Sequence, residues 1–327
     1  MQKIRILSRH DVQTALPMAD AIKAMRESFT WLYQQRAQLP PRTEMAIKDA
    51  NADVLMMPVY IPDYQQMGLK IANVFRENPA QNLPLIQGLM LLINTQNGQA
   101  EAIMDSTYLT AMRTAAGSAL ATDVLANPDA QTLAIFGTGA NAITHLEALC
   151  LVRDINKVYI FGRSLAKAQA FVQAQQAHCS ALLEATDDLA ALAEASIVCT
   201  TTSASTPLFD ANYIQPGTHI NAIGTYKPHL REVPGKLVAK SRIVVDYREA
   251  CLKEAGDILM PLQEGLIDEQ DVLAELGEVL TTGLTIRKSA QDITFYKSVG
   301  VGTQDLTAAH YILQKANELN LGTLLEV

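Results

Sequence analysis

Thr132-Leu-Ala-Ile-Phe-Gly-Thr-Gly-Ala-Asn-Ala-Ile-Thr-His-Leu146 reads as a short apolar strand that runs into a glycine turn and then into a helix. Its inner spacing, Gly137-x-Gly139-x-x-Ala142, is the dinucleotide fingerprint with alanine as the third small residue. Gly137 permits the tight turn, Gly139 lets backbone approach a pyrophosphate, and Ala142 lets the helix pack close to the strand. Thr138, Ala140 and Asn141 complete the cradle, whose free helical N–H groups suit phosphate oxygens. Two glycines also occur in strand-to-helix turns for backbone reasons alone, so the flanking pattern has to decide.

Downstream, Leu133–Phe136, Lys157–Phe161, Ala181–Ala185, Ile197–Thr201, His219–Ile223 and Ile243–Asp246 are short β-type runs. Alanine-rich helical patterns at Leu165–Gln176 and Leu189–Ala195 separate the early ones. Strand and helix alternating at this interval predicts a parallel sheet with right-handed crossovers, and the fingerprint sits on its first strand, as a nucleotide-binding unit requires. The acidic stretch Asp268–Glu278 reads as a solvated helix face, not as a metal site.

Upstream the rhythm differs. Strand-like Ile4–Leu7 leads through Ser8 and Asp11, spaced as a capping pair, into a short turn and an amphipathic helix over Met18–Gln35. Beyond Pro40-Pro41 come Arg42–Ile47, Val54–Ile61, Met67–Phe75, Gln87–Asn94 and Gln99–Met104, the last two flanking the hairpin signal Asn97-Gly98. A helix over Tyr108–Leu125 leads into the second half. Ile293–Ser298 supplies one more strand and Gln304–Leu319 a closing helix that returns to the first region. The fold class expected is therefore α/β. Residues 119–302 form a Rossmann-type parallel-sheet domain, and residues 1–118 with 303–327 form an α+β domain built from both chain ends.

The chain's 327 residues exceed the size of one ordinary core, which agrees with two domains. A net charge of −8 without a run of Lys and Arg excludes a nucleic-acid surface. Any anionic ligand must be caught by a few placed cations. Cys150, Cys179, Cys199 and Cys251 lack metal-type spacing and read as reduced core residues. The N-terminus lacks a charged and apolar leader, and no apolar run reaches the length of a membrane span, so a cytoplasmic protein without membrane contact or bound metal is expected.

In NAD-binding units an acidic residue ends the second strand and holds the ribose 2′-hydroxyl. Here that strand runs into Gly162-Arg163-Ser164. An arginine pairs with a 2′-phosphate, and Ser164 can add a hydrogen bond, so NADPH is expected over NADH, with NADH still possible. The alternative is an Arg163 that merely faces solvent.

Several separate segments, Leu39-Pro-Pro-Arg-Thr43, Gly68-Leu-Lys-Ile71, Thr110-Ala-Met-Arg-Thr-Ala-Ala116, Phe136-Gly-Thr-Gly-Ala140, Asn221-Ala-Ile-Gly224 and Lys297-Ser-Val-Gly300, follow in the order found in the ornithine cyclodeaminase/μ-crystallin family. The chain resembles that family over nearly its whole length. The resemblance implies a homodimer whose subunits pair a substrate-binding and dimerisation domain with a Rossmann domain, and a small amino or imino acid held between them. It places Arg42, Lys70 and Arg113 at the substrate carboxylate, with Met56 and Thr114 as further substrate contacts. It also suggests that Thr200, Thr201, Thr202, Ile223, Gly224, Ser298, Val299 and Gly300 line the cofactor. The residues speak for the same cation roles: Arg113 interrupts an apolar helical segment and Lys70 an apolar strand, where a buried charge needs an anion. Each could instead pair with an internal carboxylate such as Asp105 or Glu44.

The family covers cyclodeamination, reductive amination, cyclic imine reduction and non-catalytic roles. The cyclodeaminase branch is expected to carry an aspartate acid/base in the loop after the fifth Rossmann strand. Here that loop reads Lys227-Pro-His-Leu-Arg-Glu-Val-Pro-Gly-Lys-Leu237, with Val233-Pro234 in its place. Reducing a preformed C=N beside a carboxylate asks only for a carboxylate clamp, a nicotinamide and a proton. The expected activity is NAD(P)H-dependent reduction of Δ1-pyrroline-2-carboxylate or Δ1-piperideine-2-carboxylate, with Lys70 as proton source and His229 and Glu232, read as exposed loop residues, in reserve. Rival readings are a cyclodeaminase using Glu232, an amino-acid dehydrogenase acting on pyruvate and ammonia, and a non-catalytic NADPH- or ligand-binding protein.

Overall fold

The structure, a computed structural model, describes residues 3–326, with Pro79 described by its backbone alone. Two compact units emerge: residues up to Arg113 together with those from Val301 onward, and Thr114–Gly300. The boundaries fall slightly before Ser118 and Thr303, the residues at which the sequence pattern divides.

The first unit holds a 7-stranded sheet in the order Thr323–Glu326, Lys3–Leu7, Ala100–Asp105, Ile86–Asn94, Gln66–Phe75, Ala52–Ile61, Thr43–Ile47. Pairings are antiparallel except that Lys3–Leu7 runs parallel to Ala100–Asp105. Alternation sets the faces: in Ala52–Ile61, Leu55, Met57, Val59 and Ile61 are buried while Val54, Met56, Pro58 and Tyr60 are only half-buried. The register pairs Met57 with Lys70 and Lys70 with Met90, so these three share the buried face. The closing helix, Gly302–Leu319, covers it closely: a Cβ on Gly302 would press within 3.2 Å of Val59, and one on Gly68 would collide with Met90 and reach Leu306 at 3.2 Å. The Ser8 and Asp11 capping box forms before the helix Arg9–Ala15. Gly98 turns the hairpin with φ +76°, while the Asn97 side chain accepts from the Gln99 N–H. The strand Thr323–Glu326, which pairs with Lys3–Leu7, has no counterpart in the sequence reading; four residues of TLLE carry too little pattern to announce it.

The second unit holds an 8-stranded sheet, all parallel, in the order Val272–Glu275, Ser241–Val245, Ile293–Lys297, His219–Ala222, Ile197–Thr200, Thr132–Phe136, Lys157–Phe161, Leu182–Ala185. The first strand of the unit, Thr132–Phe136, lies in the interior of the sheet, flanked by Lys157–Phe161 and Ile197–Thr200. Strand order therefore reverses beside the glycine turn, the position at which open parallel sheets bind ligands. Ile197–Thr200 and His219–Ala222 are buried at every residue, which is why they read as continuous runs instead of alternating ones.

Two sequence expectations change here. Asp268–Glu278 is not one solvated helix. Asp268 and Asp271 form a capping box around a single 3₁₀ turn, Val272–Glu275 is an edge strand, and Leu276–Thr282 is a short helix. Val272, Ala274, Leu276 and Val279 are buried, so the sparse apolar residues outweighed the charges around them. Leu189–Glu194 is 3₁₀ helix, capped by Asp188, and not α-helix. Among the described residues no helix is long and apolar enough to cross a membrane, no group of side chains suits a metal ion, and the four cysteines are free.

Candidate active site

In the first unit, Lys70 in the middle of Gln66–Phe75 and Arg113 on the helix Ser106–Leu125 are both buried, and both meet Asp305 in the first turn of Gly302–Leu319. Arg113 Nε donates to Asp305 Oδ1 at 3.0 Å, and Lys70 Nζ lies 2.8 Å from Asp305 Oδ2. Gln304 completes the grip: its Oε1 accepts from Arg113 Nη1 at 3.3 Å and from the Val301 N–H at 3.1 Å. That leaves the Gln304 amide nitrogen buried without a partner. Arg42 directly precedes Thr43–Ile47, whose Thr43 pairs with Met56, so strand alternation assigns Arg42 to the face of Met57 and Lys70. Its charge acts on Lys70.

Burial is the largest influence on Lys70 and pushes its ammonium down; Asp305 pulls it up, Arg113 and Arg42 push it down further, and it comes to rest at about 8. Burial raises the Asp305 carboxyl, but Arg113 and Lys70 outweigh burial and hold it below the ordinary range. The internal carboxylate is thus Asp305, from the far end of the chain, and not Asp105, whose Oδ1 accepts from the Tyr108 N–H at the start of its helix.

Met56 belongs elsewhere. It pairs with Thr43 and Ile71, which puts it on the opposite face of the sheet from Lys70, together with Leu89, the partner of Ile71. The physical reason is the two-residue period: Met56 and Met57 point to opposite faces, and only Met57 shares that of Lys70. Thr114 follows Arg113 in the same helix but is the first residue of the second unit, and neighbouring helical residues do not share a direction.

In the second unit Gly137 turns with φ +121° and donates its N–H to Phe161. A Cβ there would collide with the Thr201 hydroxyl, whose own Oγ1 donates to Phe136 O at 2.9 Å. Gly139 N-caps the 13-residue helix Ala140–Val152 without any side-chain cap, and a Cβ on it would meet nothing within 4 Å. Open space over uncapped helical N–H groups fits a pyrophosphate. Gly139 and Ala140 are exposed, Thr138 and Asn141 half-buried, and Ala142 buried against the sheet. Arg163 is exposed; Ser164 caps the helix Leu165–Gln175, its hydroxyl accepting from Lys167.

Thr201 and Ile223 donate to the backbone carbonyls of Phe136 and Thr200, and most of the other cofactor candidates are held by carboxylates that sequence reading missed or misplaced. Glu232 is fully buried, contrary to the exposed loop position expected of it; His229 is exposed. Glu232 accepts from the Thr202 N–H and hydroxyl, both at 2.7 Å, from the Gly224 N–H at 2.7 Å and from the Thr200 hydroxyl at 3.0 Å. Burial is the main cause that raises its pKa, and Lys297 opposes it. Asp257 accepts from the Glu232 and Val233 N–H groups and pairs with buried Lys297 at 2.8 Å. Asp246 Oδ2 accepts from the Ser298 hydroxyl at 2.7 Å, the Val299 N–H at 2.9 Å and the Gly300 N–H at 2.7 Å. These donors shape the turns and are already satisfied. A signal existed in the three donor-rich turns that follow strand ends, but nothing local tells which acid serves which turn.

A family model described as the ornithine cyclodeaminase/mu-crystallin family matches residues 2–320. A Delta(1)-pyrroline-2-carboxylate reductase of Bacillus cereus is 35% identical over 98% of this chain and 99% of its own length. The solved structure of Thermococcus litoralis Delta(1)-pyrroline-2-carboxylate reductase in complex with NADH and L-proline matches with TM-score 0.93 and 33% identity, over 98% of this chain and 99% of that one. An archaeal alanine dehydrogenase dimer with bound NAD matches with TM-score 0.92 and 30% identity, over 99% of each chain.

Proposed function

The chain belongs to the ornithine cyclodeaminase/mu-crystallin family, and we propose that it is an NAD(P)H-dependent reductase of cyclic imino acids, converting Δ1-pyrroline-2-carboxylate or Δ1-piperideine-2-carboxylate to L-proline or L-pipecolate. The observation that carries this reading is a charge imbalance. Lys70 and Arg113 share the single carboxylate of Asp305. A monoanionic substrate carboxylate relieves that excess, and the buried, unpartnered Gln304 amide offers it a further donor.

A reduced nicotinamide, when bound at the glycine turn, supplies hydride to the imine carbon. The chain's own residues do the rest. Arg42 and Arg113 hold the carboxylate and so orient the adjacent C=N; fixing reacting atoms at about 3–3.5 Å accounts for much of the acceleration in such reactions. Lys70 carries a proton that is stable at neutral pH yet close to release, the condition for a general acid. Glu232 cannot serve a cyclodeaminase as free base, because both of its oxygens are occupied by turn donors.

Arg163, exposed at the end of the second strand with no acid beside it in Gly162-Arg163-Ser164, favours NADPH. Arg163→Ala is expected to raise the KM for NADPH about tenfold and to leave that for NADH unchanged, read from initial rates with each cofactor. The outer face of the first unit's sheet exposes Met45 at 53% and Leu89 at 54%, which supports a homodimer formed through this face. Sedimentation of the purified chain measures it.

The deciding experiment is NADPH or NADH oxidation with cyclic imines prepared from D-proline and D-pipecolate. Turnover independent of ammonium is expected. Ornithine yielding proline without an added imine, or reduction of pyruvate only with free ammonium, would replace this reading with a lyase or an amino-acid dehydrogenase.

A further inference from the structure

Asp305 is the one buried anion between two buried cations. Its Oδ1 lies 3.0 Å from Arg113 Nε and its Oδ2 2.8 Å from Lys70 Nζ, and its side chain is wholly shielded from solvent. We infer that Asp305 is a positioning residue that keeps Lys70 protonated and aimed, so that Lys70 Nζ delivers the ring-nitrogen proton during imine reduction; this rests on the reductase reading above.

Among the described residues the surroundings of Lys70 offer no other anion for that task. Its cross-strand neighbours are Met57 and Met90, which offer an ammonium nothing. The charged groups acting on it are Asp305 from Gly302–Leu319, Arg113 from Ser106–Leu125 and Arg42 from the segment before Thr43–Ile47. Of these only Asp305 favours the proton; a buried ammonium without such a partner sheds its charge. Asp305 is itself held as an anion by the two cations and by its place in the first turn of an 18-residue helix, where a negative charge is favoured. Because one oxygen is pinned by Arg113, the other holds a fixed place, and the Lys70 ammonium sits 2.8 Å from it as an ion pair.

In the step so assigned, hydride from the reduced nicotinamide adds to the imine carbon and the C=N π pair moves to nitrogen. Nitrogen takes a proton from Lys70 Nζ, which is left neutral and regains a proton from water. The nicotinamide is oxidised, the imine is reduced, and one proton is consumed. Protonated Lys70 declines as pH rises through about 8, so kcat/KM falls on the alkaline side. Removing the Asp305 charge takes away the only pull toward protonation, so the falling limb must move toward acid.

The test is the pH profile of kcat/KM for the wild type and Asp305→Asn with the same imine. The substrate's own ionisation is common to both proteins, so only their difference counts. The variant's limb is expected about one unit or more to the acid side, with its deficit growing from about tenfold at pH 6 to about a hundredfold at pH 8. NADH binding, followed by cofactor fluorescence, reports that the variant is folded. Where Asp305→Asn does not bind NADH, Lys70→Arg replaces it: a guanidinium keeps an ion pair but holds its proton throughout, so the limb near pH 8 should disappear together with about a hundredfold of rate. A limb at the wild-type position in the folded variant overturns the inference while leaving the reductase reading intact. Absence of imine turnover by the wild type overturns both.

Discussion

Arg113→Met is expected to lower kcat/KM for a cyclic imino acid by about two to three orders of magnitude, with most of the loss in KM. Methionine matches the length and apolar character of the arginine stem but cannot bond a carboxylate. On the proposed reading the variant loses one substrate ligand, and it strips Asp305 of its Oδ1 partner and Gln304 of the Nη1 donor. Breaking a buried, hydrogen-bonded charge pair from one side costs about 2–5 kcal/mol, and each decade of rate corresponds to about 1.4 kcal/mol. Arg113→Lys should recover little, because a single ammonium cannot reproduce the separate Nε and Nη1 bonds. Initial rates over a range of imine concentrations separate KM from kcat. A loss confined to kcat, with unchanged KM, would remove Arg113 from the carboxylate site.

The second large effect is expected in the other unit. Glu232→Ala leaves the buried Thr200 hydroxyl and the part-buried Thr202 hydroxyl, Thr202 N–H and Gly224 N–H without their acceptor, and deprives Lys297 of a nearby anion. Unpaired buried donors cost about 1–3 kcal/mol each when nothing replaces the partner, and relaxation or water recovers part. A loss of about 3 kcal/mol or more follows, which for a unit of this size is a fall in Tm on the order of 10 °C. Binding of NADH should weaken as well, since the same donors shape turns beside the reversal in strand order. Glu232→Gln, which keeps an acceptor oxygen, should retain more stability than Ala. Calorimetry and cofactor titration read the two effects; a Tm within about 2 °C of wild type for Glu232→Ala would show that the four bonds contribute little.

These two sites differ in how much of them the chain announces locally. The glycine turn is legible because its information is contiguous: Gly137 must take a positive φ, Gly139 must leave space, and Ala142 must pack, all within six residues. The parallel sheet was legible from the spacing of apolar runs, and the edge strand Val272–Glu275 was not, because charges surround only four residues of period-two pattern. Lys70 and Arg113 stood out because a lone cation in an apolar run is costly wherever it lies. Met56 went to the wrong face because alternation places a residue on one side or the other only after the register is known, and a shift of one position reverses the answer.

By itself, then, the sequence determined the alternating layers, the glycine turn, the absence of an acid beside Arg163, and the presence of cations that demand an anion. Tertiary structure decided which anion answers them. Asp305 reaches Arg113 across 192 positions of sequence, and Glu232 gathers two turns from 32 and 8 positions away. Short-range patterns record the cost of a buried charge because burial is written into the neighbouring side chains. The partner that offsets the cost is chosen by the packing of a helix onto a sheet, and that geometry exists only once the chain has folded.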